Sequence, residues 1–476
     1  MSHSAAEISD ALLHFVQTHP LLAAAAATAL IIFALVARAV AAMWRMDRLL
    51  ARIPTPAGVP TVPFLGQALA LTKGAPWRVM AQWCEEAGNI ITFNVANQRV
   101  VYVNEPKLIK RILLTNQRNY NKDVGTSYKH FMCLLGKGLV TSEGEKWRKG
   151  RLLLSHALRI DILDDIPEIT MRAVTKVIEK LKRGPADLNE EFRHMTLQVI
   201  GEAALSLTPE ETDAIFPALY LPIVHECNRR VWEPWRQFLP FLKGSKERGE
   251  CLVKLNKVLC DSIRSRWTQR QQEARDGVTR KQDIMDLCMS QLPSIDEAMV
   301  AQLRDDVKTM LLAGHETSAA LLTWATYELI ANPRVMKEVV LEAQEVYGEH
   351  IRNGTIPKLE EVKRLRWTPA VLRETLRKHS VVPLTMRIAN NDDVIPASDS
   401  GLGHDVVIPK GCTVAVGILG VHSRPDLWAN PNAFIPERFM EDQVDRIDPY
   451  AFIPFINGPR NCLGQHLSLM ETQFAL

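Results

Sequence analysis

The sequence predicts a mainly α-helical protein with a small β region, preceded by one membrane-crossing helix near the N-terminus. Three observations predict it. Residues 21–44 form an almost unbroken apolar run. Most of the remaining chain repeats its apolar residues at helical spacing, with no internal repeat and no low-complexity tract beyond the alanine-rich run. Strand signals are few: a hairpin over 90–103, and a strand with a turn at Val406-Val-Ile-Pro409-Lys-Gly411.

The 476 residues are 47% hydrophobic and 23% charged, a globular balance that excludes extended disorder. A net charge of +3 gives no footprint for nucleic acid, so none is expected as a partner. The eight cysteines are scattered, with no CxxC pair, which favours a reducing compartment over a disulfide framework.

Residues 1–20 form a short leading segment without Lys or Arg. Residues 21–44 then supply 24 positions interrupted only by Thr28 and Arg38. As a helix they extend about 36 Å, enough to span a bilayer, with Arg38 snorkelling to the interface. A buried alanine-rich helix is the alternative. Arg45, Arg48 and Arg52 follow the run, so the positive-inside rule places the bulk of the chain in the cytosol. A cleaved signal would carry its basic residues before a shorter core. The expectation is a single-pass endoplasmic-reticulum protein in contact with membrane lipid. A plastid location ranks second, because a transit peptide would be rich in Arg and Ser. The sequon Asn353-Gly-Thr355 would then never meet the glycosylation machinery.

Residues 45–66 are basic and proline-rich, with Pro54, Pro56, Pro60 and Pro63 reading as a stiff extended spacer. Residues 67–476 form the main domain. Within it, Trp147 and Arg151 share a helix face at i, i+4. Trp232 and Trp235 lie among prolines and basic residues, fitting a pocket entrance, a lipid contact or ordinary packing equally. Ser294-Ile-Asp-Glu297 reads as a capping box, and Asn332-Pro333 ends the pattern roughly 37 residues later. Ala313-Gly314-His315-Glu316-Thr317-Ser318 lies midway, where the helix thins and leaves room for something flat. His315-Glu316 does not begin a zincin motif, because position 319 is Ala.

The stretch with the most chemistry is Phe455-Ile-Asn-Gly458-Pro-Arg460-Asn-Cys462-Leu-Gly464. Leu463, Leu467, Met470 and Phe474 follow at helical spacing, so Cys462 lies at a helix N-terminus, where dipole and free N–H groups favour a thiolate. Gly458 and Gly464 would admit a flat ligand, and Phe455 would cover the sulfur. A buried hydrophobic cysteine, a nucleophile and a zinc ligand compete for Cys462. A nucleophile would want a histidine or acid partner, and no close Cys/His set suggests zinc, because Cys462 has only His466 nearby.

The spacing Phe-x-x-Gly-x-Arg-x-Cys-x-Gly resembles the haem-binding signature of the cytochrome P-450 haem-thiolate monooxygenases, of the eukaryotic membrane-anchored type. The resemblance covers about residues 53–476. It implies haem b (iron protoporphyrin IX) with Cys462 as axial thiolate and metal ligand. Trp147, Arg151, Arg387 and Arg460 are implied at the propionates, and Ala313 and Gly314 against the ring. Glu316 and Thr317 resemble the family's acid–alcohol pair for proton delivery. Glu374, Arg377 and Arg438 are implied to form a buried triad that fixes the cysteine loop.

The implied function is insertion of one oxygen atom from O2 into an apolar small molecule such as a lipid, sterol, terpenoid or carotenoid. Electrons would come from an NADPH-dependent reductase or a cytochrome b-type donor, for which Arg148 and Lys149 are candidate contacts. A haem-thiolate isomerase or dehydratase, and a non-catalytic haem-binding fragment, are the alternatives. Two departures stand out. Lys378-His379-Ser380-Val381 occupies a place where the family commonly has an apolar residue, an aromatic and two prolines. The chain also stops at Leu476, within the helix after Cys462, where the family continues into a β-hairpin, so a fragment is expected.

Overall fold

The computed structural model describes residues 14, 17–96, 98–158, 165–278 and 282–476. Most of the leading segment expected over 1–20, and Asn97 of the hairpin turn, lie outside the described residues.

Helix α1 (Pro20–Leu50) opens with proline at its first turn, where the missing N–H costs nothing. It is long and apolar enough to cross a bilayer, and its apolar side chains, among them Leu21, Phe33 and Trp44, are exposed. The helix does not stop where the apolar run ends. It continues to Leu50, and its last turns are docked: Arg45 pairs with Asp392, and Asp47 takes a forked bond from Arg99 at 2.8 and 2.9 Å. Leu50 and Ile53 are buried in the core under the sheet. The proline-rich stretch is likewise tied down, with Thr92 N–H bonding to Pro54 C=O at 2.8 Å and Gly66 bridging to Val95. Anchor and domain therefore meet through a fixed seam.

The β region is one five-stranded sheet, ordered β1 (Ile90–Val95), β2 (Gln98–Val103), β7 (Thr413–Gly417), β4 (Leu384–Ala389), β3 (Tyr120–Lys122). A separate pair joins β5 (Asp393–Ile395) to β6 (Val406–Ile408). The hairpin β1–β2 is antiparallel, and β2 runs parallel to β7, with Val100 opposite Thr413. On the far edge β3 pairs with β4, setting Lys122 directly opposite Arg387.

The rest is helical. After α2 (Pro76–Ala87) come α3 (Met132–Leu135), α4 (Gly144–Ala157), α5 (Ile166–Arg183), α6 (Leu188–Leu205), α7 (Leu221–Trp232) and α8 (Lys243–Asp276). Then follow α9 (Glu297–Ala331), α10 (Pro333–Asn353), α11 (Trp367–His379) and α12 (Gln465–Ala475), with shorter turns between. Helix α9, 35 residues and about 52 Å long, is the central rod. Its cap is Asp296, whose carboxylate accepts the Met299 N–H at 2.7 Å, and not the expected Ser294. Either residue suits an N-cap; the helix starts two residues further on, so the aspartate takes the position.

Candidate haem-thiolate site

The cysteine loop is braced by its own backbone. Cys462 N–H bonds to Phe455 C=O at 2.9 Å, and Asn461 N–H to Gly458 C=O at 3.1 Å. Gly458 stands at φ +82°, and a Cβ there would lie 2.2 Å from the Leu113 carbonyl oxygen. Its lack of a side chain thus serves a turn pressed against another part of the chain. Gly464 caps α12 and turns its N–H toward the Cys462 sulfur. Phe455 is half-buried beside Leu321, Leu372 and Leu376.

Cys462 is solvent-accessible although protein surrounds it on most sides. Burial pushes its thiol up; the N–H groups of Gly464 and Gln465 and the Arg151 guanidinium pull the other way without prevailing. The helix end alone therefore does not make the thiolate that the sequence suggested. A bound metal would, because coordination deprotonates a thiol outright.

Four cations converge beside the loop. Arg460 lies 3.9 Å from the ring centre of Trp147, donates to Ser142 C=O at 3.0 Å and pairs with Glu143. Arg151 donates to Asn461 C=O at 2.8 Å and to the Asn461 side chain, tying α4 to the residue before Cys462. Arg387 is buried on β4 and donates from Nη1 to Thr385 Oγ1 and Met386 C=O, both at 2.9 Å. Its Nη2 is buried without a hydrogen-bond partner. Lys122, which sequence reasoning missed, is pushed down to about 7 by burial, then by Arg387 and Arg460. Arg460 is pushed down to about 10 by burial, with Arg387 and Arg151 adding to the effect and Glu143 opposing it. Four cations facing one carboxylate, with an orphaned guanidinium N–H, call for an anion. A haem with two carboxylate arms and a metal near Cys462 fits that donor set.

Near the middle of α9, Ala313 is exposed between the buried Leu311 and His315. Gly314 has a different neighbour from the one expected: a Cβ there would meet Ile200 at 2.8 Å, so it lets α6 approach α9. Thr317 Oγ1 donates to Ala313 C=O at 2.6 Å. Glu316 pairs with Arg193 of α6 at 2.5 Å and lies 3.3 Å from His315 Nε2. Burial resists ionisation of Glu316, but His315 and Arg193 outweigh it and bring the carboxyl down to about 2. Nothing in the sequence flagged Arg193, which lies 123 positions from Glu316.

Behind the loop, Glu374 and Arg377 are fully buried and joined by two bonds at 2.7 and 2.8 Å. Arg377 also donates to His422 C=O and Ala433 C=O, and Glu374 accepts the Ile435 N–H. Arg438 lies 3.6 Å from Glu374, an ion-pair contact longer than a hydrogen bond. Sequence reasoning also missed His422. Its Nε2 accepts the Ile453 N–H at 2.9 Å, and its Nδ1 meets Ser380 Oγ at 2.9 Å. Burial, then Arg377, pushes this imidazole down to about 3, so it is neutral. The unusual Lys378-His379-Ser380 thus has uses: Lys378 and His379 both bond to Glu328 of α9, and His379 stacks on Trp324 with ring centres 4.0 Å apart.

The family model described as Cytochrome P450 matches residues 56–476. The chain is 25% identical to "Cytochrome P450 4c21" of Blattella germanica over 90% of this chain and 86% of that protein. It is 28% identical to "Cytochrome P450 97B1, chloroplastic" of Pisum sativum over 83% of this chain and 78% of that one. Among solved structures, "Crystal structure of cytochrome P450DA heme domain" superposes with a TM-score of 0.73 at 23% identity, covering 89% of each chain. With the signature, the fold and the cationic cradle in agreement, the chain belongs to the cytochrome P450 family, the haem-thiolate monooxygenases.

Proposed function

We propose that the chain inserts one oxygen atom from O2 into an apolar small molecule (a lipid, sterol, terpenoid or carotenoid) on a haem b ligated by Cys462. The observation that carries the reading is the accessible Cys462 thiol beside an anion-seeking group of four cations. When bound, the haem supplies dioxygen activation, which thiolate ligation favours.

The chain's own residues then have distinct tasks. Cys462 would bind the iron, with the Gly464 and Gln465 N–H groups spreading charge from its sulfur. Arg387, Arg460 and Lys122 would hold the carboxylate arms, with Trp147 and Arg151 orienting them. The small, exposed Ala313 would leave room for the haem. Thr317, whose proton is committed to Ala313, keeps its oxygen lone pairs for a donor such as water. Glu316 acts as the ionised end of a proton path while Arg193 holds it. Glu374, Arg377 and Arg438 maintain the loop.

Electrons come from an NADPH-dependent reductase or a cytochrome b-type donor. Lys149 and Arg148 are exposed on α4; Arg148 is offset by Glu145 and Lys149 has no carboxylate partner among the described residues. The fixed seam of α1 on the domain keeps it against the membrane, which favours a substrate drawn from lipid. We assign the endoplasmic reticulum, with the domain cytosolic, from the basic residues after the apolar run. The test is turnover of a lipid and terpenoid panel with NADPH and reductase, beside turnover with an organic hydroperoxide alone. Hydroxylated product that depends on reductase supports the reading. Rearrangement of the hydroperoxide without any reductase-driven product would make the chain an isomerase or dehydratase.

A further inference from the structure

Three elements meet at a pair of cysteines. Cys133 lies on α3, Cys227 on α7, and Arg248 on α8. The two sulfurs are 3.6 Å apart although 94 positions separate them. Arg248 Nη1 donates to Cys133 Sγ at 3.1 Å. Arg248 makes no ion pair with a carboxylate among the described residues, and its Nε is buried without a partner. Cys227 is buried while Cys133 is partly accessible. None of the other cysteine pairs among the described residues shows sulfurs in contact.

We propose that Cys133 and Cys227 form a peroxide-sensitive thiol pair that closes reversibly to a disulfide between α3 and α7. The Cys227 thiol donating to Cys133 and the Arg248 guanidinium both favour the Cys133 thiolate, against burial. An accessible thiolate beside a cation is the form that attacks peroxides, and a nearby second thiol resolves the product. In the first step Cys133 sulfur attacks one oxygen of a hydroperoxide. The O–O bond breaks, the alcohol or water leaves after taking a proton from solvent, and Cys133 becomes a sulfenic acid. In the second step Cys227 sulfur attacks the Cys133 sulfur, and the hydroxyl leaves as water with the thiol proton. Two thiols lose two electrons, and the peroxide gains them.

The bond would join two segments that flank α9. The α3 side is fixed to α9 where Asp305 accepts the Lys137 N–H at 3.0 Å and Asp306 accepts the Leu139 N–H at 2.9 Å. On the other side Tyr220, just before α7, packs edge-on against His315 with ring centres 5.4 Å apart. Helix α7 runs on into the exposed Trp232, Trp235, Phe238 and Phe241. Oxidation would therefore restrain α7 against α3, and reduction would release it.

The test uses the full-length protein in detergent or membranes. Stoichiometric hydrogen peroxide is added, free thiols are capped, and non-reduced peptides are analysed by mass spectrometry. A Cys133–Cys227 linked peptide that dithiothreitol abolishes is the expected result. In Cys227→Ser, dimedone captures a sulfenic acid at Cys133, and Arg248→Gln slows iodoacetamide capture of Cys133 by about tenfold at pH 7. The wild-type rates need no variant to fold: Cys133 is expected to react faster than Cys260, the other partly exposed thiol. Equal rates at the two cysteines, or oxidation of Cys133 with no linked peptide, would overturn the proposal.

Discussion

The Arg460 guanidinium lies over the Trp147 ring, 3.9 Å from its centre, so the cysteine loop and helix α4 are joined two residues before Cys462. Stacking of this kind contributes about 0.5–2 kcal/mol when partly desolvated. It also sets the guanidinium plane among its like-charged neighbours. Trp147→Ala is expected to lower the haem-to-protein absorbance ratio of purified enzyme several-fold, with Trp147→Phe recovering part of it. A full haem complement in Trp147→Ala would show that the stack does not position Arg460.

The Glu316–Arg193 pair makes a prediction in pH. With its carboxyl at about 2, Glu316 stays ionised throughout pH 5–8 and adds no inflection to the rate profile there. The depressed value contributes stability that is present above the ordinary carboxylate range and lost only as pH falls toward 2. In Arg193→Ala burial and His315 remain while the Arg193 contribution is gone, so the carboxyl moves up. A new acidic limb is expected in the pH–rate profile. An unchanged profile would separate Glu316 from the proton path.

Glu471 is fully buried on α12, and burial raises its carboxyl to about 8, with a bond from Ser318 opposing the shift. Its folded-state value exceeds the ordinary one, so its favourable contribution is complete below about pH 4.3 and is lost as pH rises through 8. The slope reaches at most about 1.4 kcal/mol per pH unit. Glu471→Gln removes the proton linkage at nearly constant shape. Its Tm advantage over the wild type is expected to grow from pH 5 to pH 8. A gap of constant size in thermal melts at several pH values would contradict the buried, neutral assignment.

Glu374 takes two bonds from Arg377 and one from the Ile435 N–H, all inside the protein. Removing one partner from a buried pair strands the other charge and costs about 3–5 kcal/mol. Glu374→Ala is expected to yield a chain that does not retain haem, whereas Arg438→Lys, at the 3.6 Å contact, retains most of it. Absorbance of the two variants after gel filtration distinguishes them, and equal loss would place Arg438 on a par with Arg377.

Local patterns were legible in the sequence because backbone geometry fixes them. The ten-residue cysteine loop, the i, i+4 pair Trp147/Arg151 and the i, i+3 pair Glu374/Arg377 each lie within a turn or a helix face. The mainly helical fold with one small sheet was legible for the same reason. Pairings made by tertiary packing were not. Arg193 with Glu316, Ser380 with His422, and Lys122 with Arg387 join residues that no periodicity connects. At Gly314 and Gly458 the protein neighbours were not legible, because a glycine signals close approach without naming the neighbour. One faces Ile200 and the other the Leu113 carbonyl. The N–H groups of Gly464 and Gln465 do face Cys462, but burial outweighs them.

The reduced, CO-bound absorption spectrum of the full-length protein, recorded beside Cys462→His, tests thiolate ligation most directly. The account predicts a Soret band shifted far to the red in the wild type and absent from the variant. A wild-type band at the position of histidine-ligated haem, or the same red-shifted band in both proteins, would contradict it.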